Sequence, residues 1–501
     1  MRWPLLPVLC ALLCGACAST TRFENVALQP GQGNPERRSI APASPDRPVI
    51  LMTFSGGGSR AAALAESVLR EMAGTRYLAT DGPHVLTEDV KLISSVSGGS
   101  VTAAWFGLRR SSAHPDGDLD GLRENFLIRD NMKDLELEAV DPITWFRLTF
   151  GGFSRIGALE GLLDERLFHR ATLAELNQPG KPFIVLNATD MAGGETFALV
   201  PRRFDDVCSN HDALPVATAV SASAAFPILL TPVSFQDHSV GCAGQLRGDQ
   251  WIRTDLSNPY TPYLNLSEYR DARYSNDLRH GPNAFRDIDY VYLLDGGLAD
   301  NLGTRSLRTA MVAPYDDAEI LRAINEGRIR TLVVIVINAR SDPPNNVYQQ
   351  SEQPGVFSMI KTVTSVPIDA NTTNSQIVSS EALGELAKAT ANAGKSAGFA
   401  GMKVYGITID FDQIPADTPA HRDLRDAAKR LPTSWTLTPP QLQTAETAGS
   451  FLLHRDPCYR ALVTDLRAAE PPAPAAAGPL QIPCTTQIEM EKRRPGPRPS
   501  S

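Results

Sequence analysis

Two turns rich in glycine and serine follow apolar segments, and one of them could carry a nucleophile. SVSGG at 95–99 matches the G-x-S-x-G motif, except that Ser95 stands in place of the first glycine. In that motif the serine occupies a sharp strand-to-helix turn, which exposes its hydroxyl above the sheet. A helix that begins after Ser97 would also stabilise negative charge that develops there. Ser97 is therefore a candidate nucleophile, and the alternative is an ordinary Gly/Ser turn.

The other turn, SGGGSR at 55–60, places backbone N–H groups at the start of a helical pattern. It has three interpretations, which this stretch alone does not separate. Gly56-x-Gly58-x-x-Ala61 fits a dinucleotide fingerprint, with Asp81 as the acid some twenty residues on. The same N–H groups could bind the oxyanion of an acyl transfer, or the turn could bind nothing. Asp81 lies in ATDGPH, which is typical of a loop rather than of a strand end.

A serine nucleophile needs a base that removes its proton. His421 and His454 are available downstream, but neither lies in a glycine-bearing loop after a strand. Asp295 does: it ends the apolar run DYVYLL and precedes a pair of glycines. Open α/β sheets place their sites at the carboxyl ends of strands, so Asp295 is the better candidate. Its alternative role is to cap the next helix.

Alternating apolar runs and helical patterns must position these residues. Continuous apolar runs of this kind are typical of strands buried on both faces, and the helical spacing between them predicts helices. The sequence therefore predicts an α/β fold with a mostly parallel central sheet flanked by helices. The predicted strands are Val49–Phe54, Val90–Ser95, Phe183–Asp190, Thr196–Val200, Asp289–Leu294, Leu332–Asn338 and Lys403–Phe411, the last strand of the core; further helices are predicted at Asp317–Asn325 and Ser379–Ala391.

GGGSR at 56–60, SVSGG at 95–99 and DGG at 295–297, in this order, resemble the motifs of the patatin-like phospholipase family. ATAVSASAAFPILLTPV at 217–233 is similar to the family's small-residue helix followed by a Pro-containing turn, and PTSWTL at 432–437 is similar to a segment late in bacterial members. The resemblance extends over about residues 48–465. It implies a patatin-like three-layer α/β/α hydrolase domain.

The resemblance implies a lipid acyl hydrolase of the phospholipase A or lysophospholipase type, which cleaves carboxylic esters without a cofactor or metal. Ser97 would be the nucleophile and Asp295 its proton acceptor, with no histidine. The implied oxyanion loop consists of Gly56, Gly57, Gly58 and Arg60, whose guanidinium would hold the loop in place. Ser95 and Ala61 depart from the family's usual glycines. The alternative is a non-catalytic lipid-binding or scaffold lipoprotein of the same fold.

The N-terminal region predicts export. Residues 1–17 form a lipoprotein-type signal peptide that ends in Leu-Cys-Gly-Ala-Cys, so Cys17 is the expected lipidation site. The alternative is cleavage after Ala18. Residues 18–47 are expected to be a flexible tether, and the protein a bacterial outer-membrane lipoprotein, facing the periplasm and acting on membrane lipids. An aromatic insertion is predicted at 243–286 and a Pro/Ala-rich, then basic tail at 466–501.

The charge of the chain indicates which partners to expect, and its cysteines indicate disulfides. The net charge is −8, and no basic stripe is present, so a nucleic-acid partner is not expected. Three of the seven cysteines lie in the leader, and the even remainder in an exported chain predicts disulfides. Of the three possible pairings, the local one closes the shortest loops. It joins Cys208 to Cys242 and Cys458 to Cys484, and the absence of C-x-x-C spacing argues against zinc.

Overall fold

The described part of the chain covers most of the expected hydrolase domain and parts of its flanks. The computed structural model describes residues 21–140 apart from 24, 30, 36–39 and 41, residues 155–239 apart from 228, residues 289–307, residues 323–342 apart from 325, and residues 368, 402–467 and 481–485. None of the described helices is both long enough and apolar enough to cross a membrane.

A single large sheet organises the described residues. Along the chain its strands are β1 (Thr21–Arg22), β2 (Val49–Phe54), β5 (Val90–Val96), β6 (Phe183–Asp190), β7 (Thr196–Ala198), β8 (Val233–Gln236), β9 (Tyr290–Asp295), β10 (Thr331–Asn338), β11 (Lys403–Asp410) and β12 (Gln481–Thr485). Their spatial order is β1-β8-β9-β6-β5-β2-β10-β11-β12, and β7 pairs with β6. The remaining strands, β3 (Arg76–Ala79) and β4 (Gly82–Val85), form a separate hairpin.

The strands from β6 to β12 in this order are mutually parallel. Because parallel strands require crossovers, helices cover both faces. Along β2, Ile50, Met52 and Phe54 belong to one buried cluster, whereas Val49 and Leu51 belong to another. This alternation shows that the sheet separates two cores, which is why its central strands are apolar throughout.

The helices of eight or more residues connect and cover these strands. They are α1 (Ser59–Gly74), α2 (Gly98–Arg109), α4 (Asn131–Val140), α5 (Arg155–Leu163), α8 (Val216–Ser223), α10 (Pro419–Lys429), α11 (Pro439–Arg455) and α12 (Pro457–Arg467). Shorter helices are α3 (Leu119–Leu122), α6 (Leu173–Leu176), α7 (Pro201–Asp206) and α9 (Gly297–Asp300). Helix α1 follows β2 and α2 follows β5, so both predicted glycine and serine turns join a strand to a helix.

The predicted fold class is therefore confirmed, and each predicted strand is present within a residue or two of its expected bounds. The sheet departs from the expectation at two places. β9 runs antiparallel to both β6 and β8, so the sheet is mixed toward the β1 edge. At the other edge, β12 pairs with β11, so Lys403–Phe411 is not the last strand and a short piece of the predicted tail belongs to the sheet.

Part of the predicted tether is built into the domain rather than separate from it. β1 pairs with β8, and the Asn25 side chain bonds to backbone groups of Gln236 at 2.7 and 2.8 Å. The Asn34 amide likewise donates to Asp205 at 2.7 Å and accepts from the His211 N–H at 2.8 Å. These side-chain bonds attach Asn25 to strand β8, and Asn34 to helix α7 and the segment that follows it. The flexibility expected of residues 18–47 stays a prediction, but Asn25 and Asn34 show that asparagines in such a polar segment can contact the folded domain.

Several predicted features lie outside the described residues. They are the signal peptide with Cys17, the insertion at 243–286, the helix at 379–391, most of the helix at 317–325, and the tail apart from 466–467 and β12.

Candidate active site

The Ser97 turn has the geometry that the motif predicts. Ser97 connects β5 to α2 with φ 51° and ψ −123°, a conformation that residues with a side chain rarely adopt. Small neighbours make the turn possible. A Cβ atom on Gly98 would lie 2.0 Å from the carbonyl oxygen of Gly58, and one on Gly99 would lie 2.6 Å from that of Ser55. The turn thus holds Ser97 tightly against the glycine loop.

Asp295 reaches the same place through the register of β6. Val96 is opposite Asn187 of β6, and Asp295 is opposite the next residue, Ala188, on the other side of that strand. Ser97, which follows Val96, and Asp295 therefore flank Ala188. This corrects the reason for expecting Asp295 here. It does not end a parallel strand at the carboxyl edge; it ends an antiparallel strand that pairs with the C-terminal end of β6.

The Ser97 hydroxyl lies beside the Asp295 carboxylate, close enough to lower its pKa. Asp295 also accepts a bond of 2.8 Å from the Gly297 N–H, and it is only 5% exposed. Burial raises the pKa of Asp295 to about 6, although the Ser97 hydroxyl and the Gly297 N–H act in the opposite direction. A carboxyl group with this pKa is ionised at neutral pH yet basic enough to accept a proton from a hydroxyl.

The glycine loop lies beside this pair, and two of its N–H groups have no acceptor among the described residues. A Cβ atom on Gly56 would lie 3.3 Å from the Cβ of Ser97. Gly57 and Gly58 have φ angles of 140° and 61°, which orient their peptide groups as residues with side chains seldom do. In the described part of the chain, the N–H groups of Gly57 and Gly58 donate to no acceptor.

The expected donor set needs two changes. The Gly56 N–H already donates to the Asn301 carbonyl at 3.0 Å, so Gly56 positions the loop and is not a donor to an oxyanion. The Gly98 N–H, at the first position of α2, has no acceptor among the described residues and adjoins Gly58. The sequence did carry this signal, because the first N–H groups of a helix have no partner within it.

Arg60 lies behind the loop, as the holding role predicts. Its guanidinium donates to the Leu431 carbonyl at 2.7 Å and to the Ser341 hydroxyl, and a Cβ atom on Gly57 would lie 2.8 Å from Nη2. The Ser59 N–H donates to the Ser434 carbonyl at 2.8 Å. The loop is therefore held from residues 341 and 431–434. Arg60 supports the donors and is not itself aligned with them.

The family model for patatin, described as patatin-like phospholipase, matches residues 52–308, just over half of the chain. This chain belongs to the patatin-like phospholipase family. The matched region contains Ser97, Asp295 and the glycine loop. No curated protein sequence matches it.

The chain is also similar to solved structures, at low identity. Human GIVD cytosolic phospholipase A2 aligns with 85% of this chain at 12% identity and a TM-score of 0.40, and the alignment covers 63% of the human chain, less than two thirds of its length. VipD from Legionella pneumophila aligns with 83% of this chain and 72% of its own at 11% identity and a TM-score of 0.24. ExoU from Pseudomonas aeruginosa, solved with SpcU, aligns with 88% of this chain and 99% of its own at 13% identity and a TM-score of 0.21.

The departure of this patatin-like chain at Ser95 is accommodated by hydrogen bonds. The Ser95 hydroxyl donates to the Val185 carbonyl at 3.2 Å and lies 3.1 Å from the Ser100 hydroxyl. Ser95 is completely buried, so its added oxygen needs these partners. The substitution therefore fills the space next to the Ser97 turn and leaves the turn's own geometry intact.

The other candidates lie away from the pair. His421 and His454 bond to Asp417 and Glu71, both at 2.6 Å. Asp81 lies in the turn of the β3–β4 hairpin and bonds to His84 at 2.9 Å, so it does not end a second parallel strand as a dinucleotide site requires. The described residues contain no cluster of three potential metal ligands.

The disulfide prediction is tested only in part. Cys208 and Cys458 are each disulfide-bonded. Cys242 lies outside the described residues, and only the backbone of Cys484 is described, in β12. The pairing itself therefore stays a prediction.

We expect the Gly98→Ala variant to lose about 10²-fold or more in kcat/KM, because its Cβ would overlap the Gly58 carbonyl and displace the donor loop. Gly74→Ala is the control, since a Cβ at this last residue of α1 meets nothing within 4 Å. Ester hydrolysis and the melting temperature of both variants provide the check. Equal activity in the two would contradict the packing described for the loop.

We expect Asp295→Asn to become more stable than the wild type as pH rises. Burying the carboxylate with a pKa of about 6, against an ordinary 3.8, costs up to about 3 kcal/mol once it ionises. Below about pH 4 both folded and unfolded states are protonated, so this cost is absent; it grows to about pH 6 and is constant above. Denaturant midpoints of both proteins at several pH values measure the difference. A difference that does not change with pH would contradict this account of Asp295.

Proposed function

We propose that this protein hydrolyses carboxylic esters of membrane lipids through a Ser97–Asp295 dyad, with phospholipase A or lysophospholipase activity. The observation that carries the proposal is the position of the Ser97 hydroxyl beside the buried Asp295 carboxylate, next to a loop whose Gly57 and Gly58 N–H groups have no acceptor among the described residues. Family membership supports the lipid substrate class.

The geometry supports a two-step reaction. Ser97 Oγ attacks the ester carbonyl carbon, and its proton passes to Asp295. The negative oxygen of the tetrahedral intermediate accepts bonds from the N–H groups of Gly57, Gly58 and Gly98, where each donor is worth about 10²–10³ in rate. Collapse of the intermediate breaks the C–O bond, and Asp295 returns the proton to the departing alcohol.

Water then attacks the acyl-enzyme while Asp295 accepts one of its protons. The second intermediate collapses, Ser97 Oγ leaves and regains that proton, and a fatty acid is released. A single carboxylate thus serves as base and then as acid in both halves of the reaction. Its pKa of about 6 suits this exchange, because neither protonation state is strongly disfavoured near neutral pH.

We also propose that the protein is exported and anchored through a lipid on Cys17, so that it meets its substrates at the outer membrane. The leader sequence supports this location. The disulfide bonds of Cys208 and Cys458 support it independently, because structural disulfides form mainly in oxidising compartments.

The proposed activity is tested by fatty-acid release from phosphatidylethanolamine vesicles and lysophosphatidylcholine micelles. We expect Ser97→Ala and Asp295→Asn each to lower the rate by about 10³-fold or more, since nucleophile and base act as a unit. His421→Ala and His454→Ala should retain the rate to within about three-fold, because both imidazoles bond to surface carboxylates elsewhere.

A fluorophosphonate probe that labels Ser97 identifies the nucleophile directly. A wild-type protein that releases no fatty acid and takes up no probe would show a non-catalytic lipid-binding scaffold instead. Loss of activity in a histidine variant together with an active Asp295→Asn variant would show a histidine-dependent esterase.

A further inference from the structure

The end of helix α8 is bonded to both members of the proposed dyad. The Ser97 N–H donates to the Ser223 hydroxyl at 2.9 Å. The Asp295 N–H donates to the Ala225 carbonyl at 2.9 Å, and the neighbouring Gly296 N–H donates to the Ser223 carbonyl at 3.0 Å. We propose that Ser223 is a positioning residue that fixes the Ser97 turn relative to Asp295, an inference that rests on the proposed function.

The local structure explains why this segment can hold β9. Ser223 is the last residue of α8. The last carbonyl groups of a helix accept no hydrogen bond from N–H groups of the same helix. The carbonyls of Ser223 and Ala225 therefore remain available to the backbone at the end of β9. A helix that continued past residue 223 would use them internally and leave Asp295 and Gly296 without these bonds.

The Ser223 side chain has a fixed orientation. Its hydroxyl donates to the Asn187 carbonyl at 2.6 Å, which uses its single proton. Its oxygen then accepts the bond from the Ser97 N–H, and the Ser100 hydroxyl lies 2.9 Å away. Ser223 is completely buried, so water does not compete for these bonds. Asn187 lies opposite Val96 in the sheet, so the hydroxyl connects the turn to the strand that sets the register.

This bond has a consequence for the chemistry. It occupies the Ser97 N–H, which leaves the oxyanion to Gly57, Gly58 and Gly98. It also stabilises the unusual backbone conformation of Ser97, with φ at 51°. Without the hydroxyl, the turn can relax and move Oγ away from the carboxylate. A displacement of about 1 Å at a reacting atom can cost about 10²-fold in rate.

Ser223→Ala tests this role, and Ser221→Ala is a matched control. Ser221 is buried to the same extent in the same helix, but its hydroxyl has no hydrogen-bond partner among the described residues. We expect Ser223→Ala to lower kcat by about 10- to 100-fold with KM changed by less than about three-fold. Ser221→Ala should keep kcat within about three-fold of the wild type.

Amide hydrogen exchange supplies a readout that does not require hydrolysis. In Ser223→Ala, peptides containing residues 96–98 should exchange faster than in the wild type and in Ser221→Ala. If the wild type hydrolyses no lipid, the proposed function fails, and the exchange comparison still decides whether Ser223 orders the turn. Unchanged exchange and kcat in Ser223→Ala, or equal losses in both variants, would overturn the inference.

Ser223→Cys covers the case in which the alanine variant does not fold. A thiol occupies similar space but accepts hydrogen bonds weakly. The same faster exchange and a smaller loss of kcat are expected, and wild-type values of both would count against the proposal.

Discussion

The contact between the Ser97 hydroxyl and the buried Asp295 carboxylate is the interaction on which the site depends. It forms between side chains far apart in the sequence, in a place from which water is largely excluded. Exclusion of water makes Asp295 more basic, and the contact places the Ser97 hydroxyl next to that base. The surrounding structure can be understood as what keeps these groups together despite the cost of burying a charge.

Two parts of the fold meet that requirement. Strand β6 lies between β5 and β9, so Ser97 and Asp295 approach each other across Ala188. The glycine loop closes the third side, and it is held by Arg60 and by the backbone of Ser434. Residues 431–434 lie beyond the segment that matches the family model, which ends at 308. The residues that form and support the site therefore extend beyond the matched region and include the C-terminal segment 431–434, which is hydrogen-bonded to the glycine loop and to Arg60.

Much of this arrangement follows from local sequence. The apolar runs predict the strands, and the glycine and serine turns after β2 and β5 predict where the reactive groups lie, because such turns require small residues. The direction of β9 was not predictable, since the apolar run DYVYLL does not specify its partner. The bond from Gly56 to the Asn301 carbonyl and the role of Ser223 depend on contacts across the sheet. The contacts of Asn25 and Asn34 were missed because a polar, glycine-containing segment is equally typical of a linker.

The most direct measurement of the central claim is the pH dependence of Ser97 phosphonylation by a fluorophosphonate, followed by intact mass. If Asp295 is the base, the rate should fall as pH drops through about 6, because protonation removes the acceptor for the hydroxyl proton. Asp295→Asn should react slowly at every pH and lack that inflection. An Asp295→Asn variant that reacts as fast as the wild type, with the same inflection, would contradict the account.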